Sequence, residues 1–238
     1  MQHSSFGITN LGKVRHTNED ALFIDKAHQV YAVADGLGGL PGGAEASQRI
    51  VQLLEQTMKR TDPSHERVDL IELINGINEI VVKEGLDAHP HSGMGSTLTI
   101  GQIVGDQLLI GHIGDSAAYL LRDDDLKKLT IDHTMAQELI DRQGESTRDV
   151  IPPEYSHTLT RCVGQGENLR VDSKSITIKQ GDRLLLCTDG LDKVISSEAI
   201  KKELARKQSP EEACHQLTKM ANDNEGPDNI TVIVIHTL

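Results

Sequence analysis

The chain has 238 residues, of which 37% are hydrophobic and 25% charged, and it contains no tryptophan. This length fits one large domain with a substantial buried core, and the composition is that of an ordinary soluble protein. The formal net charge of -12 repels phosphate backbones and anionic lipid headgroups. General binding to nucleic acids or membrane surfaces is therefore disfavoured.

Export and membrane signals are missing from the sequence pattern. The N-terminal stretch MQHSSFGITNLGKVRHTNED lacks the apolar core of a signal peptide, and no stretch approaches the ~18 apolar residues of a membrane span. Cys162, Cys187 and Cys214 lack the C-x-x-C pairing of a metal site, which suits a reducing compartment. We therefore expect a cytoplasmic protein.

Short apolar or alternating runs predict the strands. In chain order they are ALFID (21–25), QVYAVAD (29–35), STLTIGQIV (96–104), QLLIGHIGD (107–115), AAYLL (117–121), KSITI (174–178), DRLLLCTD (182–189) and NITVIVIHT (229–237). Because short turns link most of them, we expect antiparallel sheets.

Helical periodicity predicts helices over 44–60, 63–85, 134–143, around 197–207, and over 210–222. Two long helices between early and middle strands favour an α+β fold over an alternating parallel one. Residues 144–158 contain paired prolines and little periodicity, so we expect an irregular, mobile excursion there. The acidic run at 123–125 is typical of a solvated hairpin turn.

Four aspartates lie where apolar strands begin or end. They are Asp35, Asp115, Asp189 and Asp228. If the strands are neighbours, these carboxylates converge at one rim of the sheets and raise each other's pKa values. A hard divalent ion such as Mg²⁺ or Mn²⁺ would relieve the conflict, and no clustered histidine or cysteine indicates zinc instead. A single Asp-Gly pair is typical of a turn, but four such aspartates favour a metal site.

The segment GKVRHTNEDA adds Arg15, Glu19 and Asp20 before the strand ALFID. A guanidinium can hold a phosphate through two parallel hydrogen bonds, and two further carboxylates can orient waters around a metal. Taken alone, the segment is typical of a solvated loop with a local Arg-Glu pair. Together with the four aspartates, it predicts a phosphate group held over a metal centre.

Eight motifs follow one another along nearly the whole chain: VRHTNED, VADGLGG, GMGSTLT, HIGDSAAYL, LTIDHT, LTRCVG, LLCTDGL and GPDNITVIVI. In this order they resemble the metal-dependent protein serine/threonine phosphatases, the PPM or protein phosphatase 2C type, and especially their compact bacterial branch. The resemblance implies one α+β domain over 1–238, a four-layer αββα sandwich of two antiparallel β-sheets flanked by helices on both outer faces. A flap around 134–158 would lie next to a metal site between the sheets.

The resemblance also implies a ligand set for two or three Mn²⁺ or Mg²⁺ ions. Asp35 would bridge two ions. The carbonyl of Gly36 would join it at one ion, and Asp189 and Asp228 at the other.

Further roles follow from the same resemblance. Glu19 and Asp20 would act mostly through metal-bound water, and Asp115 would help to hold a third ion, sharing Asp189. Arg15 would bind the substrate phosphate.

The sequence departs from the family pattern at three places. Leu37 and Leu40 occupy loop positions where various members carry a histidine proposed to protonate the leaving group, and Ala117 stands where the family usually has arginine. Ser156 and His157 replace a frequent Arg-Asn pair. His157 is a candidate proton donor, with a packing or loop role as the alternative.

The resulting hypothesis is hydrolysis of phosphoserine and phosphothreonine in proteins by a metal-activated water, reversing the action of a serine/threonine kinase. We expect a monomer that acts on phosphorylated proteins and binds neither nucleic acid nor membrane. A pseudophosphatase that serves as a binding or scaffold module is the alternative, but decay of that kind should strip metal ligands. A metal-stabilised structural domain is a third reading, and it would leave Arg15 without a role.

Overall fold

The structure is a computed structural model that describes residues 2–38, 42–62, 67–166 and 169–238. Within these ranges the strands are β1 (His3–Asn10), β2 (Asp20–Asp25), β3 (Val30–Asp35), β4 (Leu98–Val104), β5 (Gln107–Ile113), β6 (Ala117–Arg122), β7 (Asp125–Lys128), β8 (Asp172–Thr177), β9 (Arg183–Cys187) and β10 (Ile230–Thr237).

The helices within the same ranges are α1 (Gly43–Arg60), α2 (Leu70–Ala88), α3 (Met135–Gln143), α4 (Asp189–Asp192), α5 (Ser197–Leu204) and α6 (Pro210–Asp223). Two short 3₁₀-helical turns, Glu145–Val150 and Pro153–Ser156, follow α3. Side-chain caps mark the starts of α2, α3, α5 and α6. At α6, for example, Ser209 and Glu212 form a reciprocal capping box ahead of Pro210, an arrangement that stabilises a helix by about 1 kcal/mol.

The strands form two five-stranded sheets. One sheet has the order β1-β10-β9-β6-β7 and the other the order β2-β3-β4-β5-β8. Every neighbouring pair is antiparallel. In the second sheet the register places Asp20 opposite Asp35, so two predicted site residues share one sheet edge.

Three apolar clusters stack the layers. Between the sheets, Val33 and Ile110 of one sheet pack with Leu186 and Ile233 of the other. Alternate residues of each strand point outward and pack beneath helices. These outer clusters bring α1 and α2 onto the β2–β8 sheet and α4, α5 and α6 onto the β1–β7 sheet. The predicted four-layer αββα sandwich is therefore confirmed.

All eight predicted strands are present, with shifted ends. The strand predicted to reach residue 189 ends at Cys187, because Asp189 already begins the short helix α4. The helix predicted over 63–85 begins at Leu70, where the Asp69 side chain accepts hydrogen bonds from the first backbone N–H groups. Residues 63–66 of that prediction lie outside the described residues.

Two strands and one helix were not predicted. Strand β1 is rich in serine and glycine and lies at a sheet edge, although Phe6 and Ile8 alternate on it and pack against the apolar cluster beneath α6. Strand β7 has four largely exposed residues, and α4 has four residues in all. Elements this short carry no measurable periodicity.

The acidic run predicted to form a hairpin turn joins β6 to β7. Asp123 and Asp124 have positive φ values of 50° and 62°. This is the backbone of a two-residue turn that follows the twist of the paired strands, and aspartate tolerates that region better than most residues. The prediction of a turn is confirmed.

The segment predicted as a flap leaves the sandwich and returns to it at one neck. Thr134 and Leu159 form an isolated β-bridge, and the backbone N–H of Met135 donates to the carbonyl of Thr158. Between these residues lie α3 and the two 3₁₀-helical turns, neither of which contains a buried side chain. Apolar packing therefore holds the segment through Ala136 and Ile140 of α3, whereas the two turns bury no side chain of their own.

A buried histidine pair lies beside the neck of this segment. His112 is 2% exposed, with Nε2 3.0 Å from the carbonyl oxygen of Ile131 and Nδ1 2.9 Å from Oγ1 of Thr99. Its ring lies 4.7 Å from that of His133. Burial lowers the pKa of His112 to about 3, and the charge of His133 adds to the effect.

We predict that His112 makes the fold less stable in mild acid. Its pKa is lower in the folded chain than its ordinary value of 6.5, so the unfolded chain binds the extra proton as the pH falls below that value. The contribution of His112 to the free energy of unfolding is therefore complete above about pH 6.5. It falls on acidification, by roughly 2 kcal/mol between pH 7 and pH 5.

Urea unfolding of His112→Gln at both pH values tests this prediction. In this variant, the difference in the free energy of unfolding between pH 7 and pH 5 should be smaller than in the wild type by roughly 2 kcal/mol. This holds whatever the stability of the variant at pH 7. His91→Gln, at an exposed position, is the matched control and should keep the full dependence. An equal pH dependence in wild type and His112→Gln would contradict the assignment.

Candidate metal centre

One cleft at the rim of the sandwich contains almost every predicted site residue. Its volume is about 460 Å³, and it opens where strands of both sheets end. The predicted residues that line it are Arg15, Glu19, Asp35, Gly36, Asp115, Asp189 and Asp228. Asp20 does not line the cleft and lies behind it, 6% exposed.

The β2–β3 pair carries the first part of the site. Asp35 ends β3 and lies opposite Asp20 at the start of β2. The backbone N–H of Gly36 then donates to the carbonyl of Glu19 at 3.0 Å. A Cβ atom on Gly36 would lie 2.3 Å from the carbonyl oxygen of Gly43, so only glycine fits there. This close backbone approach explains the glycine after Asp35.

Asp115 and Asp189 come from opposite sheets. Asp115 follows β5 after Gly114, which has a φ of 103° and lies against Thr97. Asp189 follows β9, whose end is held by a hydrogen bond from the Thr188 N–H to the carbonyl of Thr231. Both carboxylates are therefore fixed by backbone that is itself part of, or bonded to, the sheets.

Asp228 is positioned through its neighbour Asn229. The Asn229 side chain donates to the carbonyls of Leu11 and Thr17 and accepts from the N–H of Glu19. A Cβ atom on Gly190 would lie 1.9 Å from the Asn229 carbonyl oxygen. The second Asp-Gly pair is thus explained by tight backbone contact with this loop rather than by a turn.

Arg15 lies above the carboxylates at the cleft rim. Its Nη2 donates to Oδ2 of Asp228 at 2.8 Å, and the side chain is 46% exposed. The hydrogen bond to Asp228, with smaller effects from Glu19 and Asp35, raises the pKa of Arg15. The guanidinium is therefore charged and accessible.

Burial and mutual repulsion raise the pKa values of three of these carboxyls, those of Asp20, Asp35 and Asp115. Burial, then the charges of Asp20 and Asp189, raises the pKa of Asp35 well above its ordinary range. Burial raises the pKa of Asp20 to about 7, opposed by hydrogen bonds from threonine hydroxyls. Burial and the charge of Asp189 raise the pKa of Asp115 to about 6. Positive charge placed among these carboxyls would favour their ionised forms.

Asp189 differs because two side chains offset its burial. His157 and Lys193 together hold the pKa of Asp189 below its ordinary value. Nδ1 of His157 lies 3.9 Å from Oδ2 of Asp189, and Lys193 Nζ lies 3.0 Å from the same oxygen. The sequence motifs did not identify Lys193 as a site residue. Lys193 follows Asp189 by four residues, and this spacing places two side chains on the same face of a helical turn. That spacing could have identified Lys193 from the sequence.

The family departures fall in different places. Leu37 lines the cleft, and Leu40 lies outside the described residues. Ala117 is fully buried on β6 in the apolar cluster beneath α4, α5 and α6. His157 lines the cleft with its side chain 63% exposed.

The residues present fit a hard divalent cation. The predicted ligands are oxygen donors, and Oδ1 of buried Asp20 has no hydrogen-bond partner. Within the described ranges, however, no three Asp, Glu, His or Cys side chains stand as a ready-made cluster. The carboxylates of Asp115, Asp189 and Asp228 pair instead with Lys193 and Arg15.

Comparisons with known proteins identify a family match over most of the chain. The family model Protein phosphatase 2C matches residues 13–230. The serine/threonine phosphatase stp of Listeria innocua is 33% identical over 241 residues, covering 98% of this chain and 95% of that protein.

Two solved structures also share the fold. The catalytic domain of the serine threonine protein phosphatase PstP, in complex with 2 manganese ions, is 32% identical with a TM-score of 0.82, covering 98% of this chain and 97% of that one. The phosphatase MsPP from Mycobacterium smegmatis, in complex with cacodylate, is 32% identical with a TM-score of 0.85, covering 99% and 98%.

The family match includes strands β2 to β9 and every predicted site residue. It confirms the resemblance carried by the eight motifs and the prediction that the chain is an enzyme. The chain therefore belongs to the protein phosphatase 2C family, and it is a protein phosphatase.

Proposed function

We propose that this phosphatase hydrolyses phosphoserine and phosphothreonine in proteins, with the cleft as its metal-dependent active site. The observation that carries the proposal is the gathering of five carboxylates in one cleft beside an exposed arginine. The relatives named serine/threonine phosphatases support the substrate class. The manganese ions reported for PstP support Mn²⁺ or Mg²⁺ as the cofactor.

Asp35, Asp189 and Asp228 would hold the ions, with the carbonyl of Gly36 as a further ligand. When bound, the divalent ions acidify water and offset charge on the phosphoryl oxygens. Glu19 lines the same cleft and would orient water there. Asp20 acts from behind, where Thr188 Oγ1 donates to its Oδ2 at 2.7 Å and leaves Oδ1 without a partner.

Arg15 would bind the substrate phosphate. One of its nitrogens bonds to Asp228, and a guanidinium has five N–H donors, so donors remain for a phosphate that enters the cleft. Bidentate contact of this kind orients the phosphoryl group as well as binding it. The cacodylate reported for MsPP, a tetrahedral oxyanion, supports an oxyanion site in this fold.

His157 is the candidate donor of a proton to the leaving serine or threonine oxygen. Leucine stands at the loop position where some members carry histidine, and His157 reaches the cleft from the segment 134–158 instead. Its side chain is 63% exposed, which disfavours the alternative of a packing role. A histidine side chain that lines the cleft is within reach of the leaving oxygen of a substrate bound there and is of the residue type most often used as a general acid.

The organisation around the site is part of the same proposal. Residues 1–238 form one domain, and 134–158 act as a flap beside the cleft. The enzyme works as a cytoplasmic monomer on the substrates of a serine/threonine kinase. Its three cysteines are free, as suits a reducing compartment, and in the described ranges no helix is long and apolar enough to cross a membrane.

The pseudophosphatase alternative has no observation in its favour. A chain that had lost catalysis should have lost metal ligands, yet an oxygen donor stands at each predicted position. The arginine at the cleft rim argues against a purely structural metal site, since it has a charged, accessible side chain with no structural need to face the cleft.

Asp35→Asn is predicted to abolish metal-dependent hydrolysis. In the wild type, hydrolysis of p-nitrophenyl phosphate should be absent in EDTA and restored by Mn²⁺ or Mg²⁺. The variant should retain roughly 1% of that rate or less, because it loses a charged ligand. It should remain folded, since removing one charge relieves repulsion within the cluster.

Glu55→Gln, on the exposed face of α1, is the matched carboxyl-to-amide control and should keep the wild-type rate. Hydrolysis that persists in EDTA would contradict the metal assignment. Metal binding without turnover on this compound and on a phosphothreonine peptide would favour the pseudophosphatase.

Arg15→Ala is predicted to weaken substrate binding more than the chemical step. Loss of a charge-assisted contact to phosphate should raise KM for a phosphothreonine peptide on the order of 10-fold or more, with a smaller change in kcat. Arg60→Ala, at an exposed position in the last turn of α1, is the control. A collapse of kcat at constant KM would give Arg15 a different role.

A further inference from the structure

One ammonium group lies between two carboxylates of the metal centre. Lys193 Nζ donates to Oδ2 of Asp115 at 2.5 Å and to Oδ2 of Asp189 at 3.0 Å. It also donates to the backbone carbonyl of Ser156 at 2.9 Å. These three acceptors use all three protons of the ammonium group, so the charge is fully engaged where it lies.

The backbone fixes Lys193 in this place. Its N–H donates to the carbonyl of Asp189 at 3.0 Å, so the two residues lie one helical turn apart, and their side chains share one face of α4. The Lys193 side chain is 21% exposed and that of Asp115 is 6% exposed. In the described part of the chain, Lys193 is the only side chain that hydrogen-bonds to the Asp115 carboxylate.

We propose that the Lys193 ammonium is a built-in cation that takes the place of a metal ion between Asp115 and Asp189. Exchangeable ions then bind only around Asp35, Asp189 and Asp228. The inference rests on the proposed function and corrects one part of the expected ligand set, because Asp115 binds a lysine rather than a third ion.

Lys193 excludes a divalent ion from this position both by charge repulsion and by occupying the space. A divalent ion approaches carboxylate oxygens to about 2.0–2.2 Å, and the two oxygens it would need already accept hydrogen bonds from Lys193. An ion seated between them would face the ammonium at short range, where like charges repel strongly in a partly buried site. Ammonium and ion therefore compete for one position.

The same ammonium ties the segment 134–158 to the metal centre. The carbonyl of Ser156 belongs to the second 3₁₀-helical turn of that segment. If an exchangeable ion held the segment instead, the contact would depend on the concentration of metal. A lysine makes it permanent, so the segment keeps its position over the cleft with or without metal.

Counting bound Mn²⁺ tests the proposal directly. Titrations of the full chain are followed by calorimetry and by the electron paramagnetic resonance signal of free Mn²⁺. Lys193→Ala should gain about one additional weakly held ion per chain, and that gain should vanish in Lys193→Ala/Asp115→Asn. Lys202→Ala, which removes a 75% exposed lysine from α5, should leave the count unchanged.

Asp115→Asn with Lys193 intact provides a second test that does not depend on Lys193→Ala folding. It should bind as many Mn²⁺ ions as the wild type. A lower count would place an ion on Asp115 and overturn the proposal, as would an unchanged count in a folded Lys193→Ala. Wild type that binds no Mn²⁺ at all would contradict the proposed function itself, so the two failures are distinguishable.

Limited proteolysis of residues 134–158 gives a readout independent of ion counting. The wild-type cleavage rate should be the same in EDTA and in Mn²⁺. In Lys193→Ala, cleavage should be faster in EDTA and slowed by Mn²⁺. Protection of the wild-type segment that requires Mn²⁺ would contradict the proposal.

Discussion

Repulsion among carboxylates that share one rim of the sandwich is the constraint on which the site depends. Burial removes the water that would otherwise screen Asp20, Asp35 and Asp115, and the pKa of each is raised. Such a cluster contributes nothing to folding stability by itself. Arg15 and Lys193 offset part of the charge, while burial first and then the neighbouring carboxylates raise the pKa of Asp35. In the proposed site, the negative charge that remains would draw cations into the cleft.

The sandwich prevents the carboxylates from moving apart. Asp20 and Asp35 are held opposite each other by strand register, and the Asp189 turn is held against the Asn229 loop by a backbone contact that excludes any side chain at Gly190. These restraints come from rigid sheets rather than from the charged groups themselves. The energy of apolar packing between four layers is therefore used to maintain an arrangement that the charges alone would disperse.

The parts of the site that sequence reasoning identified are those where a strong local pattern ends in a distinctive residue. Apolar strands that begin or end at aspartate indicated the candidate ligand positions, and the ordered motifs indicated the family. The ion pairs within the site could not be predicted from the sequence because they join distant residues. Lys193 and Asp115 are 78 positions apart, and Arg15 and Asp228 are 213 apart. Strand β7 and helix α4 were missed because four residues are too few to show periodicity. Strand β1 was missed because its serines and glycine weaken the alternation of Phe6 and Ile8. The roles of individual ligands stay predictions.

Strand β10 lies between β1 and β9 in its sheet, although it is the last strand in chain order. The hairpins β2–β3 and β4–β5 carry Asp35 and Asp115 on local contacts, whereas β10 must close a loop across most of the chain to pair with β1. Asp228 and Asn229 immediately precede β10, so their positions are set only when it docks. We therefore expect Asp228 to join Asp35 and Asp115 late in folding, so that a chain caught before that step holds an incomplete set of carboxylates at the rim.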